Sequence, residues 1–371
     1  MAHRALLTGG GSGGHVFPAL AIGEELQSRG WEVSFVGRPA SLESRVFDAR
    51  GYDFHGLSGG AILGRSWMQK AGALATLAKS SVRARALLGR LRPQVVVATG
   101  GYVSVPSALA AKSRGLPLLL VEPNARAGMA NRWLSRMAAA AATSYEQTAE
   151  DLRCACRVTG VPVRRRFFEI GRVDPHPRAW RLLVLGGSQG ALAMNRALPG
   201  ALEAIAVSVE GGLEVVHQAG LGKAEEVRAS YRGLSVKAEI VEFLEDVPGA
   251  MARADLILSR AGAITLAEIC AAGRPSLLFP LPGVGRHQLQ NALQMRDSGA
   301  AEIVDQRMVG DVDQRMVGDV DQPMVAEVAS RLRELLDRGR LARMAEAAGS
   351  LARPRSTDDI VDLVESLRDA A

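Results

Sequence analysis

Aromatic residues make up only 4% of this 371-residue chain, too few for the stacking platforms on which single-stranded nucleic acid is held. Cysteine is scarcer still: Cys154, Cys156 and Cys270 do not form a disulfide framework. Cys154 and Cys156 stand one residue apart with no second Cys/His pair at zinc spacing, so both read as structural. No apolar run approaches the roughly 18 residues a membrane span requires. The opening Met1-Ala-His-Arg4 leads into a strand and not a signal-peptide core. A cytosolic protein is expected, with any membrane contact peripheral.

Acidic residues are missing altogether from Phe54 to Val121, a window that holds Arg65, Lys70, Lys79, Arg83, Arg85, Arg90, Arg92, Lys112 and Arg114. Much of it reads as one amphipathic helix, with Trp67, Ala71, Leu74, Ala78 and Leu88 available for an apolar face. The basic side is either a solvated face or a surface for anionic membrane. The whole chain carries a formal charge of +6. That points to an anionic partner: nucleic acid, anionic lipid or a phosphorylated substrate.

Short β-branched or leucine-rich runs alternate with longer amphipathic stretches. Strands are expected near Ala5–Thr8, Glu32–Val36, Val95–Ala98, Leu118–Val121 and Ala140–Thr143 in the first half. In the second they are expected near Leu182–Leu185, Glu214–His217, Lys237–Val241, Leu256–Leu258, Ser276–Phe279 and Glu302–Val304. This alternation implies parallel sheets with right-handed crossovers. The fold class is therefore α/β, with two doubly wound Rossmann-like domains facing a cleft. An N-terminal domain over residues 1–160, a linker over 161–177, a second domain over 178–350 and a C-terminal helix over 351–371 are expected. Gly160–Pro177 reads as neither helix nor strand. Ser356 or Thr357 is the expected N-cap of the tail helix. VDQRMVGD over Val304–Asp311 recurs unchanged as Val312–Asp319, so residues 304–323 read as a tandem insertion in a surface connection. Its Asp311/Asp313 and Asp319/Asp321 pairs are by-products of the repeat, and no metal is expected there.

Glycine turns carry the chemical signal. Thr8-Gly-Gly-Gly-Ser-Gly-Gly-His15 follows the first strand and opens a helix. It is either a tight turn or a place where backbone amides and a helix N-terminus meet phosphate or sugar. No Gly-Lys-Ser/Thr follows, which excludes a Walker A loop. The second strand ends in Val36-Gly37-Arg38 without an acid, which disfavours a dinucleotide. Leu185-Gly-Gly-Ser-Gln-Gly-Ala191 occupies the matching place of the second half, and Arg260-Ala-Gly-Ala-Ile-Thr265 leads into a helix bearing Glu268. Two helix N-termini in one domain can hold a diphosphate without metal. Glu268 is placed at the N-terminal end of its helix, as a cap or as the partner of a ribose diol.

Gly9-Gly-Gly-Ser-Gly-Gly-His-Val-Phe-Pro-Ala19, Gly100-Gly-Tyr-Val-Ser104, Gly186-Gly-Ser-Gln-Gly-Ala191, Arg260–Glu268 and His287-Gln-Leu-Gln-Asn-Ala292 stand in one order across residues 4 to 304. Together they resemble the MurG family of UDP-N-acetylglucosamine transferases. That resemblance implies a GT-B fold and transfer of N-acetylglucosamine to undecaprenyl-pyrophosphoryl-N-acetylmuramoyl pentapeptide (lipid I to lipid II), with no cofactor. It further implies that Ser188 holds the donor phosphate and that Arg164 and Leu244 bracket the uracil. Ala263, Ile264 and Thr265 would give backbone contacts, Glu268 the ribose contact, and Gln288 and Asn124 contacts to the sugar. Ser12, Gly13 and Gly14 would lie where donor and acceptor meet. The family's His-Glu-Gln-Asn appears here as Val121-Glu-Pro-Asn124, Ser58–Arg65 is only loosely like its basic loop, and the tandem repeat is foreign to it.

The implied reaction is a direct displacement at the anomeric carbon with inversion. His15 is the first candidate base, because imidazole titrates near neutrality, and Glu122 the second. The plainer reading of His15 is a helix-start residue bonded to backbone. The lipid-linked acceptor makes an anionic membrane surface the expected partner of the basic window, at the cytoplasmic face of the bacterial inner membrane. Nucleic acid is not expected. The rival readings are a UDP-sugar epimerase and another lipid glycosyltransferase, such as a diacylglycerol glucosyltransferase.

Overall fold

The computed structural model describes residues 2–57, 67–171, 179–281, 286–304 and 322–370. Ser58–Arg65, Asp174–Pro177, the Asp-x-Asp pairs and nearly all of the tandem repeat lie outside them. The chain divides into two compact units, Met1–Arg164 with Arg353–Ala371, and Arg165–Ala352.

The first unit holds strands β1 (Arg4–Gly9), β2 (Glu32–Gly37), β3 (Asp53–Gly56), β4 (Val95–Gly100), β5 (Leu118–Glu122), β6 (Ala140–Thr143) and β7 (Ala155–Val158). Its helices are α1 (Gly13–Ser28), α2 (Leu42–Asp48), α3 (Trp67–Leu91), α4 (Ser104–Ser113) and α5 (Met129–Leu134). The sheet is parallel, in the order β3-β2-β1-β4-β5-β6-β7. A parallel sheet is covered on both faces, and β1 shows this residue by residue. Leu7 joins Val16, Leu20 and Leu26 of α1 on one side, while Leu6 joins Leu87 and Leu88 of α3 on the other.

The second unit repeats the plan with β8 (Trp180–Leu185), β9 (Leu213–Gln218), β10 (Lys237–Val241), β11 (Leu256–Ser259), β12 (Ser276–Leu278) and β13 (Ala301–Ile303). Its helices are α6 (Leu192–Ala206), α7 (Ala224–Ser230), α8 (Val247–Arg253), α9 (Ala263–Ala271), α10 (Arg286–Asp297), α11 (Gln322–Leu335) and α12 (Arg338–Ser350). This sheet is also parallel, in the order β10-β9-β8-β11-β12-β13.

The last helix, α13 (Ser356–Asp369), belongs to the first unit, where Ile360, Val361 and Val364 enter the core beside α1. Arg29 bonds Asp362 at 2.7 Å and Glu365 at 3.0 Å. Neither expected cap acts as one. Arg355 holds the N-cap position, and the Thr357 hydroxyl instead donates to the Val163 carbonyl at 3.0 Å. That bond ties the returning tail to the end of the first unit's continuous chain.

Strands β3 and β7 were not expected. Both close the sheet at its edges and are largely exposed, so neither carries the buried apolar run by which a parallel strand is recognised. Cys154 and Cys156 sit half-buried at β7, where burial raises the Cys154 thiol to about 11, in keeping with inert side chains. Within Gly160–Pro177, one 3-10 turn forms at Arg165–Phe167 and buries Phe167.

Helix α3 is continuous, as expected, and of its expected apolar face Leu88 is buried while Ala78 is not. Ser80, Ala84, Leu87 and Leu88 are buried, whereas Ala78 is exposed. At 3.6 residues per turn Ser80, Ala84, Leu87 and Leu88 share one side of the helix, and Ala78 lies nearly opposite Ser80. Leu88 serves the core. The side chains of Trp67, Ala71 and Leu74 lie outside the described residues.

Candidate active site

In an open parallel sheet, ligands bind beyond the carboxyl ends of the strands where the strand order reverses. The first sheet reverses between β1 and β4, the second between β8 and β11. All four of these strands run directly into motifs singled out above. Gly9–His15 follows β1, Gly100–Ser104 follows β4, Gly186–Ala191 follows β8, and Arg260–Thr265 follows β11.

In the first unit, His15 is the third residue of α1, and its ring rests against the β4 turn. A Cβ on Gly100 would lie 2.9 Å from the ring, and one on Gly101 only 2.4 Å from the Gly10 carbonyl oxygen. Both glycines also have positive φ, 106° and 79°, so the close fit of the two loops excludes any side chain. His15 Nδ1 lies 2.9 Å from the Thr99 carbonyl oxygen. A carbonyl can only accept, so Nδ1 carries the proton and Nε2 keeps its lone pair. Burial lowers the His15 pKa, outweighing the Thr99 bond and the charges of Glu122 and Glu43. His15 is therefore a neutral imidazole held in one tautomer. Ser12 precedes α1 as N-cap, yet its hydroxyl makes no capping bond, and Gly13 and Gly14 begin the helix.

Glu122 ends β5 and is 2% exposed. Its Oε1 accepts from the Asn124 amide at 3.1 Å and from Asn124 Nδ2 at 2.8 Å. Its Oε2 accepts from the Gly128 amide at 2.8 Å and Asn131 Nδ2 at 3.0 Å. Both oxygens are thus committed to shaping the 122–131 turn, and Glu122 takes one hydrogen of the Asn124 side-chain amide. Of the two base candidates, only His15, at Nε2, has a lone pair with no hydrogen-bond partner among the described residues.

In the second unit, the Gly186–Ala191 turn closes with a 3.0 Å bond from the Gly190 amide to the Gly187 carbonyl. Among the described residues, no protein acceptor pairs with the amides of Ser188 and Gln189. Gly262 caps α9, so Ala263, Ile264 and Thr265 form its first turn, whose amides lack intrahelical partners. The switch point is therefore flanked by two sets of donors with partial positive charge. Asn291 of α10 donates to the Ala261 carbonyl at 3.2 Å and so fixes the approach to α9. Gln288 Oε1 accepts from the Leu281 amide at 3.0 Å, which leaves its amide hydrogens to point elsewhere.

Glu268 is the sixth residue of α9, past the first turn, and is 8% exposed. It cannot cap that helix, so the capping alternative is withdrawn. Arg164 is buried in the first unit with its guanidinium 5.4 Å from the centre of the Phe17 ring, while Leu244 lies half-buried after β10 of the second. Glu43, Thr99, Asn195 and Asn291 escaped the sequence reading as site residues. Glu43 belongs to no glycine motif. Asn195 had a usable signal, as a polar residue shortly after the Gly186–Ala191 turn, and Asn291 stood inside the His287–Ala292 motif.

Two parallel-sheet units with glycine turns at both switch points have the GT-B architecture, and the family matches make the protein a glycosyltransferase of that class. Residues 5–143 match the glycosyltransferase family 28 N-terminal domain and residues 181–320 its C-terminal domain. The chain belongs to glycosyltransferase family 28. It is 39% identical, over 98% of both chains, to the UDP-N-acetylglucosamine–N-acetylmuramyl-(pentapeptide) pyrophosphoryl-undecaprenol N-acetylglucosamine transferase of Pseudomonas fluorescens. The crystal structure of Acinetobacter baumannii MurG superposes with a TM-score of 0.71 at 31% identity, covering 99% of this chain and 100% of that one. A UDP-N-acetylglucosamine 2-epimerase shares the fold alone, at a TM-score of 0.65 and 14% identity over 97% of this chain and 95% of its own.

Proposed function

We propose that this enzyme transfers N-acetylglucosamine from UDP-N-acetylglucosamine to the muramyl C4 hydroxyl of undecaprenyl-pyrophosphoryl-N-acetylmuramoyl pentapeptide, a step of peptidoglycan synthesis. The observation that carries the chemistry is the His15–Thr99 bond, which leaves Nε2 as a proton acceptor beside a helix N-terminus. Nε2 takes the acceptor hydroxyl's proton as that oxygen attacks the anomeric carbon. The bond from this carbon to the diphosphate breaks, the configuration inverts, and UDP leaves with the electron pair. Its charge is received by the Ser188 and Gln189 amides and the α9 N-terminus, donors already in place before reaction.

The buried Glu268 carboxylate is assigned to the ribose diol, Leu244 to the uracil, and the Gln288 amide to the sugar hydroxyls. Ser12, Gly13 and Gly14 are assigned to the reacting groups. Glu122 is read as the residue that shapes the turn bearing Asn124. Exposed Lys79, Arg83, Arg85, Arg90, Arg92, Lys112 and Arg114 cluster on α3 and the end of α4. We assign them to the anionic cytoplasmic face of the membrane that carries the acceptor, where wall growth supports cell shape and division.

Labelled UDP-N-acetylglucosamine tests this reading. A lipid-linked disaccharide is expected only when the lipid acceptor is supplied. An epimerised UDP-sugar formed without acceptor would favour the epimerase reading instead.

A further inference from the structure

Behind the glycine turn of the second unit, three buried side chains are joined end to end, and no step of the transfer uses them. Asn195 is the fourth residue of α6, His217 lies on β9, and Tyr231 follows α7. His217 is 0% exposed, Asn195 5% and Tyr231 7%. The Tyr231 hydroxyl lies 3.1 Å from His217 Nδ1, and His217 Nε2 lies 3.1 Å from Asn195 Oδ1. Asn195 Nδ2 donates to the Ala219 carbonyl at 2.9 Å.

The direction of the chain is forced. The Ala219 carbonyl can only accept, so Asn195 donates through Nδ2 and accepts through Oδ1. His217 must then carry its proton on Nε2, and its Nδ1 accepts from Tyr231. Burial lowers the His217 pKa to about 4, so the neutral imidazole this arrangement needs is the form present at neutral pH.

The last link touches the turn itself. A Cβ on Gly190 would lie 2.0 Å from the Ala219 carbonyl oxygen, and one on Gly220 2.3 Å from the Gly190 nitrogen. The Leu221 amide also bonds the Ser188 carbonyl at 3.3 Å. Wherever the Ala219 carbonyl goes, the Gly187–Gly190 turn must follow. Apolar side chains would pack a core as well and without the cost of burying polar groups. A polar chain adds the ability to fix one carbonyl in place.

We infer that Tyr231, His217 and Asn195 form a positioning relay that sets the Gly187–Gly190 turn to receive the donor's diphosphate. This rests on the reading of that turn as the diphosphate holder. The relay acts on the phosphates alone, so its loss separates UDP from uridine.

Inhibition constants of UDP and uridine are measured in competition with UDP-N-acetylglucosamine. In Tyr231→Phe and Asn195→Ala, UDP binding is expected to weaken about tenfold, the value of one hydrogen bond at the upper end, with uridine unchanged. His217→Gln keeps one donor and one acceptor and retains most UDP affinity, whereas His217→Leu loses it. Tyr231→Phe removes a single oxygen and carries the test if Asn195→Ala fails to fold. Unchanged UDP affinity in a folded Tyr231→Phe, or equal losses for UDP and uridine, would overturn the relay. Wild-type enzyme that does not bind UDP would overturn the diphosphate reading itself.

Discussion

Glu43 accepts the amide hydrogen of Gly11 at 2.8 Å with a carboxylate that is wholly buried beneath the first glycine loop. A Cβ on Gly10 would lie 2.0 Å from the same Oε1, so loop and carboxylate are in direct contact. Burial favours the neutral acid. Bonds to Ser41, the residue's own amide and Gly11, with the charge of Arg38, outweigh it and hold the pKa below its ordinary value. Glu43→Ala strands the Gly11 amide and opens a void, and should cost about 2 kcal/mol. Glu43→Gln, which keeps an acceptor, should cost less. Denaturant titration of both variants checks the order, and equal losses count against it.

His15→Ala should lower turnover roughly 10²–10⁴-fold with the donor's binding preserved. A loss under about tenfold would place the base elsewhere. Because burial moves the His15 pKa below 6.5, the neutral base persists through neutral pH, and the acid limb of kcat/KM should fall below pH 6.5. His15→Ala should abolish that limb.

His217 makes stability depend on pH. The unfolded imidazole titrates near 6.5 and the folded one near 4, so between these values only the unfolded state takes up the proton. Stability is fully present above pH 6.5 and is lost as pH falls toward 4, by roughly 3 kcal/mol in all. Denaturant midpoints across that range should fall less steeply for His217→Gln than for the wild type.

Gly190→Ala tests the turn directly. Its φ of 71° is strained for alanine, and the added methyl would meet the Ala219 carbonyl oxygen at 2.0 Å. UDP binding should weaken on the order of tenfold or more while the fold persists. Calorimetry showing wild-type affinity would remove the turn from the donor site.

Neutralising Arg83 and Arg90 together should weaken binding to anionic vesicles about fivefold per cation, from roughly 1 kcal/mol each. The difference should shrink as salt is raised. Sedimentation indifferent to both salt and lipid charge would remove α3 from the membrane surface.

Where the fold could be read in advance, the residues show why. Val95, Val96 and Val97 are fully buried in β4, between strands on both sides and helices on both faces, and such a site demands a continuous β-branched run. Asp53–Gly56 and Ala155–Val158 pair on one side only and face solvent, so their composition follows no such demand. In the site, the glycines were legible because positive φ and close backbone approach exclude other residues. On α3 Leu88 was legible as a core residue and the exposed Ala78 was not, since periodicity alone does not fix how wide a face meets the sheet.

The sequence by itself determined the alternation of strands and helices, the positions of the glycine turns and the presence of His15 at a helix start. These follow from constraints acting within a few residues of chain. Only the tertiary structure decided which tautomer His15 holds, that Glu122 is fully bonded and that Glu43 lies under a loop 32 positions away. It likewise decided that Asn195, His217 and Tyr231 join, and that α13 returns to the first unit. Each of these depends on which side chains the packed sheets bring within hydrogen-bonding reach, and no local pattern encodes that distance.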